Sequence, residues 1–302
     1  MNTANTLRFG WLPDSQTYET DRIIINPLKD FDEAVSAVHV LGHIHKKWFY
    51  PPLQAYANGE NDSRPPVPMP WFALPETHQI FNKTNTCIPG FLEFVILLFG
   101  WSQGLRLYPE GHGHHYRVAT EVGMLTDFRI MDIDVEKYLC LVEEFWRNHY
   151  ETGAAAGLFA AVHWYLYSCS YHQQFERFMN QYQVLDACFH VYCTIKGEKV
   201  DKFKHFMRAK VLCDNLGLQM PAWAIAIEGR KTTPLAVIRN EVIHEAKWGG
   251  APIGFVCLAG DFQNILLELK NFNCRLIASL LGVTGSYVFS SSQTRQPRRL
   301  NF

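Results

Sequence analysis

Seven prolines between residues 51 and 75 divide the chain into two parts of different character. Proline lacks a backbone N–H and clashes with the preceding helical turn, so this segment excludes long helices and central β-strands. Residues 1–88 are rich in proline, asparagine and aromatic side chains, with an extended candidate at residues 22–25 and an amphipathic helix candidate at residues 31–47. We predict an irregular N-terminal unit, residues 1–88, of mixed α and β structure.

From Pro89 onward, apolar residues recur at spacings of three and four, which is typical of amphipathic helices. We predict helices over residues 90–103, 133–150, 153–169, 171–195, 198–216, 234–247 and 261–281. Together they form a helical domain over residues 89–302 that ends in a short basic tail. The predicted fold class is therefore mainly α, a helical bundle with a smaller irregular N-terminal unit.

Composition limits the partners that the chain can recruit. Its 302 residues are 48% hydrophobic, enough for a sizeable core, and 28 basic residues nearly balance 29 acidic ones. No overall charge attracts nucleic acid or an anionic membrane, so a polyanion has to be held by local groups. The longest apolar stretches, residues 91–101 and 253–269, are too short to cross a membrane or are interrupted by acidic side chains. We expect a cytoplasmic protein without membrane contact, whose eight scattered cysteines are small buried side chains in a reducing compartment.

The predicted helix at residues 234–247 has clear local signals at both ends. Thr233 is a good N-cap, and Pro234 suits the first helical turn, where its missing N–H costs nothing. The Trp-Gly-Gly sequence at residues 248–250 supplies the stop. The sequence therefore marks where this helix begins and ends.

This helix carries Arg239, Asn240 and His244, which combine a fixed positive charge, an amide and a group that titrates near neutral pH. With about 100° per residue, Arg239 borders the apolar stripe, whereas Asn240 and His244 share the opposite side. The stripe consists of Leu235, Ile238, Val242 and Ala246. An arginine beside a buried stripe needs a carboxylate or a phosphate as its partner, because an unpaired buried charge is very costly.

These residue types suit RNA cleavage by the ribose 2′-hydroxyl, which needs proton transfer at two oxygens and positive charge on the pentavalent phosphate. Histidine can transfer protons at cellular pH, and arginine offers a planar fork that matches phosphate oxygens. The chemistry requires no metal or other cofactor. Because Arg239 and His244 point about 140° apart on one helix, we expect two copies of the chain to bring them to one phosphate across a symmetric interface.

The hexapeptide RNEVIH at residues 239–244 has the form R-N-x-x-x-H. Together with its helix-rich surroundings, it resembles the signature of the HEPN ribonucleases, helical-bundle nucleases of toxin–antitoxin, phage-defence and CRISPR systems. Residues 164–165, 175–178 and 182–186 are similar to the long helix that precedes the motif helix in the large ApeA-like branch of that superfamily. The resemblance extends over residues 90–285.

This resemblance implies a metal-independent endoribonuclease whose cleft forms between two helical domains, hence a homodimer that binds and cuts RNA. Carried onto this chain, Arg239 stabilises the phosphate, His244 transfers a proton, and Asn240 orients the substrate or His244. A glutamate of the family's preceding helix is replaced here by Asp186, which can still form an ion pair with Arg239. The resemblance further implies a toxin-type or antiviral effector, controlled by an antitoxin or an activating protein, with the N-terminal unit recognising a trigger, a partner or the RNA.

A small cationic patch flanks the motif helix and consists of Arg230, Lys231 and Lys247. We predict that it binds RNA backbone phosphates on either side of the scissile bond. Ordinary solvated surface charges are an equally good interpretation of the same residues.

The motif also has a structural interpretation. Arg239 would then form an ion pair with Asp186, Glu228 or Glu241, and His244 would be a surface histidine. In that case the chain is a catalytically inactive helical dimer that binds RNA, a nucleotide or a protein partner through the same cleft.

Residues 112–115, His-Gly-His-His, form the strongest metal candidate, with Glu110 and His149 as conceivable further ligands. Adjacent histidines match the spacing of a structural zinc site poorly, so we predict a solvated loop and no metal site. A metal-dependent enzyme centred on this loop stays open as a third hypothesis. The chain has neither a phosphate-binding loop nor a nucleophile elbow, which argues against nucleotide hydrolysis and serine hydrolase chemistry.

Overall fold

The computed structural model describes residues 5–40, 44–50, 71–84, 88–115, 117–171, 173–245, 264–293 and 300–302. The chain divides into two compact units, Met1–Glu143 and Glu144–Phe302. This division lies well beyond residue 88, where the character of the sequence changes. The helix at Phe91–Ser102 explains why the first unit extends past residue 88, because this helix packs against the N-terminal strands.

The first unit contains nine described strands: β1 (Thr6–Phe9), β2 (Tyr18–Glu19), β3 (Ile23–Pro27), β4 (Ile44–His45), β5 (Trp48–Phe49), β6 (Trp71–Phe72), β7 (His78–Asn82), β8 (His114–His115) and β9 (Val118–Ala119). Four of them form an antiparallel sheet in the order β1-β7-β3-β2. In register, Ile80 of β7 lies between Leu7 and Ile25, and all three side chains are buried. Side chains alternate between the two faces of a strand, so these residues line one apolar face. The extended segment predicted at residues 22–25 is confirmed as β3.

The N-terminal helix is shorter than predicted. Helix α1 spans Phe31–Val40, whereas the apolar pattern predicts a helix over residues 31–47. The chain instead forms the β4–β5 hairpin, in which Lys46 and Lys47 have φ values of 48° and 70°. Two successive residues in the left-handed region form a tight hairpin turn and cannot continue a right-handed helix. The helical prediction is therefore wrong at residues 44–47.

Helix α2 (Phe91–Ser102) belongs to the first unit because it is apolar on all sides. Its residues are buried with the exception of Glu93, and it packs against β1 and β7. A helix without a polar face has to be surrounded by other elements, so it cannot be separated from the sheet. The helix predicted at residues 90–103 is confirmed.

Helix α3 (Ile133–His149) contains the division between the two units and confirms the helix predicted at residues 133–150. Within the first unit, the Tyr138 hydroxyl donates a hydrogen bond to the backbone carbonyl of Leu98, 3.0 Å away. The buried carboxyl group of Glu143 accepts a hydrogen bond from the hydroxyl of Thr20. Burial raises the pKa of this carboxyl group above its ordinary value.

The second unit is a helical bundle in which α5 is the central element. After α3 come α4 (Ala154–Ser168), α5 (Gln174–Lys196), α6 (Arg208–Leu216), α7 (Pro234–Ile243) and α8 (Ile265–Leu280). Helix α5 packs along both α4 and α8. The buried Asn273 amide of α8 donates to the backbone and side-chain carbonyls of Gln181, both at 2.8 Å, and Gln181 donates to Ser168 at 2.6 Å. These buried hydrogen bonds fix the three helices relative to one another.

The helices predicted at residues 153–169, 171–195 and 261–281 are confirmed over their described residues, with ends that shift by a few positions. The coarse fold class is also confirmed, since the chain is mainly α with a mixed N-terminal unit. The residues expected to lie on one long helix are divided between two helices, because residues 175–178 and 182–186 lie on α5, whereas residues 164–165 lie on α4.

The helix predicted at residues 198–216 is wrong in its first half. Helix α5 ends at Lys196, its C-cap Gly197 has a φ of 65°, and the Glu198 N–H bonds back to the carbonyl of Cys193 at 2.8 Å. This pattern closes a helix and turns the chain away from its axis. Two single 3₁₀ turns, Val200–Lys202 and His205–Met207, then precede α6. The second of these turns brings His205 beside α5.

The described cysteines divide by exposure. Four are buried as predicted, namely Cys188, Cys193, Cys213 and Cys274. Cys169 is half-buried, and Cys140 is exposed, so the prediction is wrong for Cys140. Cys87 and Cys257 lie outside the described residues. Within the described part of the chain, no helix combines the length and the apolar character that a bilayer crossing would require.

Candidate functional site

Helix α7 carries the predicted motif, and its N-terminus is confirmed. The Thr233 hydroxyl accepts a hydrogen bond from the backbone N–H of Ala236 at 3.3 Å, and Pro234 occupies the first turn. The C-terminus differs from the prediction, because the helix ends at Ile243 and not at residue 247. His244 is the C-cap, and its backbone N–H bonds to the carbonyl of Asn240 at 2.9 Å. The Trp-Gly-Gly stop at residues 248–250 lies outside the described residues.

The apolar side of α7 follows the predicted stripe. Leu235 and Ile238 are buried, Val242 is half-buried, and Ala246 lies outside the described residues. Arg239 is half-buried at the edge of this stripe, as its angular position predicts. The rest of the motif, Asn240 and His244, is exposed.

Arg239 and His244 meet within one chain. Nη1 of Arg239 lies 2.5 Å from Nε2 of His244 and 3.1 Å from Oδ1 of Asn240. This finding corrects the expectation that the two functional groups diverge and need a second copy to meet. The angle of about 140° compares only the directions in which side chains leave the helix. The arginine side chain is long enough to curve around the helix end to reach His244.

The guanidinium group of Arg239 also lies against an aromatic ring of α5. Its Cζ is 5.8 Å from the ring centroid of Tyr182, which is within cation–π range. Tyr182 is buried, and burial raises the pKa of its hydroxyl above the ordinary value of 10.0, with the charge of Asp186 acting in the same direction. The tyrosine is therefore neutral at physiological pH.

Arg239 forms no ion pair with any carboxylate of the described residues. The alternative in which Arg239 pairs with Asp186, Glu228 or Glu241 is therefore wrong for the described part of the chain. Its buried Nε atom likewise has no hydrogen-bond partner among the described residues. A half-buried cation without an acid partner is electrostatically unsatisfied. An anion from solution would supply the missing charge.

Asp186 pairs with a different arginine from the one expected. Its Oδ1 lies 2.8 Å from Nη1 of Arg208, without the alignment of a hydrogen bond, so the contact is an ion pair. Arg208 is buried, and its Cζ lies 5.3 Å from the ring centroid of Phe189. The 3₁₀ turn before α6 places Arg208 opposite α5, where Asp186 meets it. The expected Asp186–Arg239 pair is therefore wrong.

His205 is the second histidine of this region. Its Nδ1 lies 3.6 Å from Oδ2 of Asp186 and 3.4 Å from the hydroxyl oxygen of Tyr182. Partial burial lowers the pKa of His205 below its ordinary value of 6.5, and the charges of Arg208 and Arg239 lower it further, against the opposing charge of Asp186. The imidazole is therefore neutral at pH 7.

These residues form one connected group, which we call the arginine–histidine cluster. It consists of Tyr182, Asp186, His205, Arg208, Arg239 and His244. Two guanidinium groups and one carboxylate give it a net charge of +1 when both imidazoles are neutral. A partly open group of this charge attracts anions, phosphate esters among them.

Sequence reasoning missed His205 and Arg208 because both fall in a stretch predicted as continuous helix. Residues three apart eclipse each other in a 3₁₀ turn, whereas they are offset by about 60° in an α-helix. Gly197, which closes α5, was the available signal that the helix ends there.

The predicted RNA-binding patch is only partly described. Arg230 and Lys231 are both exposed in the turn before α7, where the Arg230 N–H bonds to the carbonyl of Ile227 at 2.9 Å. No described carboxylate forms an ion pair with either side chain. Lys247 lies outside the described residues.

The histidines of the 112–115 loop lie in different surroundings. His112 is exposed, and its Nδ1 is 3.4 Å from the carbonyl of Glu110. His114 is buried, with its ring edge-on to Tyr108 at 4.8 Å between centroids. Across the described ranges, no group of three or more His, Cys, Asp or Glu side chains is arranged to hold a metal ion.

Comparisons of the chain with protein-family models, with curated proteins and with solved structures gave no match.

Proposed function

We propose that this protein is a metal-independent endoribonuclease that cleaves RNA by attack of a ribose 2′-hydroxyl on the adjacent phosphate. The observation that carries the proposal is the contact between Nη1 of Arg239 and Nε2 of His244, 2.5 Å apart in one chain. A phosphate-binding cation and a proton-transfer group therefore sit side by side, as this reaction needs. Arg239 lacks an acid partner among the described residues, so its charge is available to a phosphate.

The contact between Arg239 and His244 has a defined direction in the free protein. A guanidinium group only donates hydrogen bonds, so Nε2 of His244 is the acceptor in this contact. Phosphate oxygens are stronger acceptors for arginine than an imidazole nitrogen is. An RNA phosphate that binds Arg239 would release Nε2 for proton transfer.

Asn240 has a positioning role in this proposal. Its Oδ1 accepts a hydrogen bond from Nη1 of Arg239 at 3.1 Å, so it orients the guanidinium group and not His244. Arg230, Lys231 and Lys247 would hold backbone phosphates on either side of the scissile bond.

The wider setting of the proposal comes from the sequence resemblance to HEPN ribonucleases. It includes a homodimer, a cytoplasmic toxin-type or antiviral effector, and an antitoxin or activating protein that controls it. The N-terminal unit would recognise the trigger, the partner or the RNA. Because the catalytic pair meets within one chain, dimerisation is proposed on the resemblance alone.

The test is RNA cleavage in EDTA by the purified protein and by Arg239→Ala and His244→Ala. Matched controls are Arg147→Ala and His190→Ala, which remove an exposed arginine and an exposed histidine of the second unit. We expect each site variant to lose roughly 100-fold or more in rate, with unchanged circular dichroism, while both controls keep the wild-type rate. A wild-type protein that leaves transfer, messenger and ribosomal RNA intact would overturn the proposal.

A catalytically inactive binding protein is the second candidate, and the net positive charge of the arginine–histidine cluster favours it. It predicts that wild type binds RNA without cutting it and that Arg239→Ala weakens binding. Filter binding on uncleavable 2′-deoxy substrates, measured beside the cleavage assay, separates the two candidates.

A further inference from the structure

We propose that His205 is the general base of the same site, oriented by Asp186, an inference that rests on the proposed ribonuclease function. Cleavage by a 2′-hydroxyl moves two protons, one from the attacking oxygen and one to the leaving oxygen. Arginine does not give up a proton in proteins, so Arg239 can perform neither transfer. His244 can perform one of them, and a second titratable group is needed.

His205 lies in contact with the residue that packs on Arg239. The Tyr182 hydroxyl oxygen is 3.4 Å from Nδ1 of His205, and the Tyr182 ring packs against the guanidinium group of Arg239. One tyrosine side chain therefore touches both groups. The charge of Arg239 also lowers the pKa of His205, as expected for groups in the same electrostatic environment.

The ring of His205 is oriented for base catalysis through Nε2. The carboxylate of Asp186 faces Nδ1 at 3.6 Å and favours the neutral tautomer with its proton on that nitrogen. Nε2 then keeps its lone pair, and it has no hydrogen-bond partner among the described residues. The side chain is 43% exposed, so a substrate can reach this nitrogen.

Arg208 holds Asp186 in place and is a positioning residue. It is buried at 7% exposure, and its ion pair with Oδ1 of Asp186 at 2.8 Å leaves Oδ2 for His205. The Asp186 carboxylate therefore lies between the Arg208 guanidinium group and the His205 imidazole.

The proposed reaction balances with these two imidazoles. When a phosphate binds Arg239, the contact between Arg239 and His244 breaks, and Nε2 of His244 takes up a proton from solvent. Nε2 of His205 then accepts the 2′-hydroxyl proton, the bond between O2′ and phosphorus forms, and the bond between phosphorus and O5′ breaks. His244 gives its proton to O5′, leaving a 2′,3′-cyclic phosphate and a 5′-hydroxyl. Exchange with solvent returns His205 to its neutral form and completes the cycle.

The test compares His205→Ala, His205→Gln and His244→Ala on two RNA substrates. One is ordinary, and the other has sulfur in place of the 5′-oxygen at the scissile bond. A thiolate leaves without protonation, so this substrate needs a base but no acid. The control is His190→Ala, which removes an exposed histidine of the same helix α5 that carries Asp186.

We expect both His205 variants to lose about 100-fold in rate on both substrates, whereas His244→Ala recovers on the sulfur substrate. The acidic limb of the wild-type pH–rate profile disappears in both His205 variants, and added imidazole partly restores His205→Ala. Wild-type rate and pH profile in His205→Gln, beside an inactive His244→Ala, would overturn the inference and leave the proposed function intact. If the cleavage rate of His205→Ala recovered on the sulfur substrate, the role of His205 as the general base would be overturned. No cleavage by wild type would overturn the proposed function itself.

Discussion

Oδ1 of Asp186 lies 2.8 Å from Nη1 of Arg208, and this ion pair joins the middle of helix α5 to the first residue of helix α6. A cation at a helix N-terminus meets the positive end of the helix dipole and is unfavourable there. Arg208 is also buried, so it has little water to solvate its charge. Asp186 therefore compensates a charge that the fold would otherwise leave unfavourably placed.

The first prediction is that Asp186→Ala destabilises the second unit. Removal of one partner leaves the buried Arg208 charge without compensation, which costs about 3 kcal/mol in comparable buried pairs. Urea unfolding followed by far-ultraviolet circular dichroism measures the change. The control is Asp214→Ala, which breaks the exposed Lys210–Asp214 pair and should cost less than about 1 kcal/mol. Equal effects of the two substitutions would contradict the role of the pair.

The second prediction concerns the N-cap of the motif helix. Thr233→Ala removes the acceptor of the Ala236 N–H bond at 3.3 Å, and loss of such a cap costs about 1 kcal/mol. Thr233→Ser keeps the acceptor and should retain most of the stability. Thr194→Ala is the control, because this exposed hydroxyl bonds the His190 carbonyl inside α5 and caps no helix. A cap variant as stable as this control would show that the Thr233 bond contributes nothing.

The sequence predicts features of the site whose causes are local. Thr233 and Pro234 specify the start of α7 through their own backbone chemistry, and the apolar spacing places Arg239 at the edge of the buried side. The contact between Arg239 and His244 was not predictable from helix angles, because the path of a long side chain depends on its surroundings. His205 and Arg208 reach the site through a 3₁₀ turn and tertiary packing.

In the first unit, too, features with local causes are predictable from the sequence and features that depend on tertiary packing are not. Helix α2 is apolar around its whole circumference, so its existence and burial both follow from composition. The end of α1 does not follow from composition. Lys46 and Lys47 are ordinary helix formers, but the hairpin places both in the left-handed region. Strand pairing overrides their local preference.

The third prediction is that acid destabilises the first unit through His78. This imidazole is fully buried against Phe9, Trp11 and Phe31, and burial lowers its pKa from 6.5 to about 4. The unfolded chain therefore takes up a proton first as the pH falls. The contribution of neutral His78 to the free energy of unfolding is fully present above pH 6.5. It falls by about 3 kcal/mol as the pH drops to 4.

Unfolding free energies of wild type and His78→Phe between pH 4 and pH 7.5 measure this effect. The variant removes the titrating group and keeps an aromatic ring, so its stability should fall less steeply with acid. Acidic side chains also titrate in this range, but they are shared by both proteins and cancel in the difference. His39→Gln, which removes an exposed histidine, should keep the wild-type slope. Parallel curves for wild type and His78→Phe would refute the assignment to His78.

The fourth prediction is that the catalytic pair acts within a single chain. Nη1 of Arg239 and Nε2 of His244 meet 2.5 Å apart in one protomer, so a chain that lacks either residue has no complete pair. Arg239→Ala and His244→Ala proteins, unfolded together and refolded as a mixture, should therefore remain as inactive as each variant alone. If the pair were shared between protomers of a dimer, half the dimers would be mixed and each would contain one complete site of two. The mixture would then regain about a quarter of the wild-type activity, and that recovery would show that the pair acts across the interface.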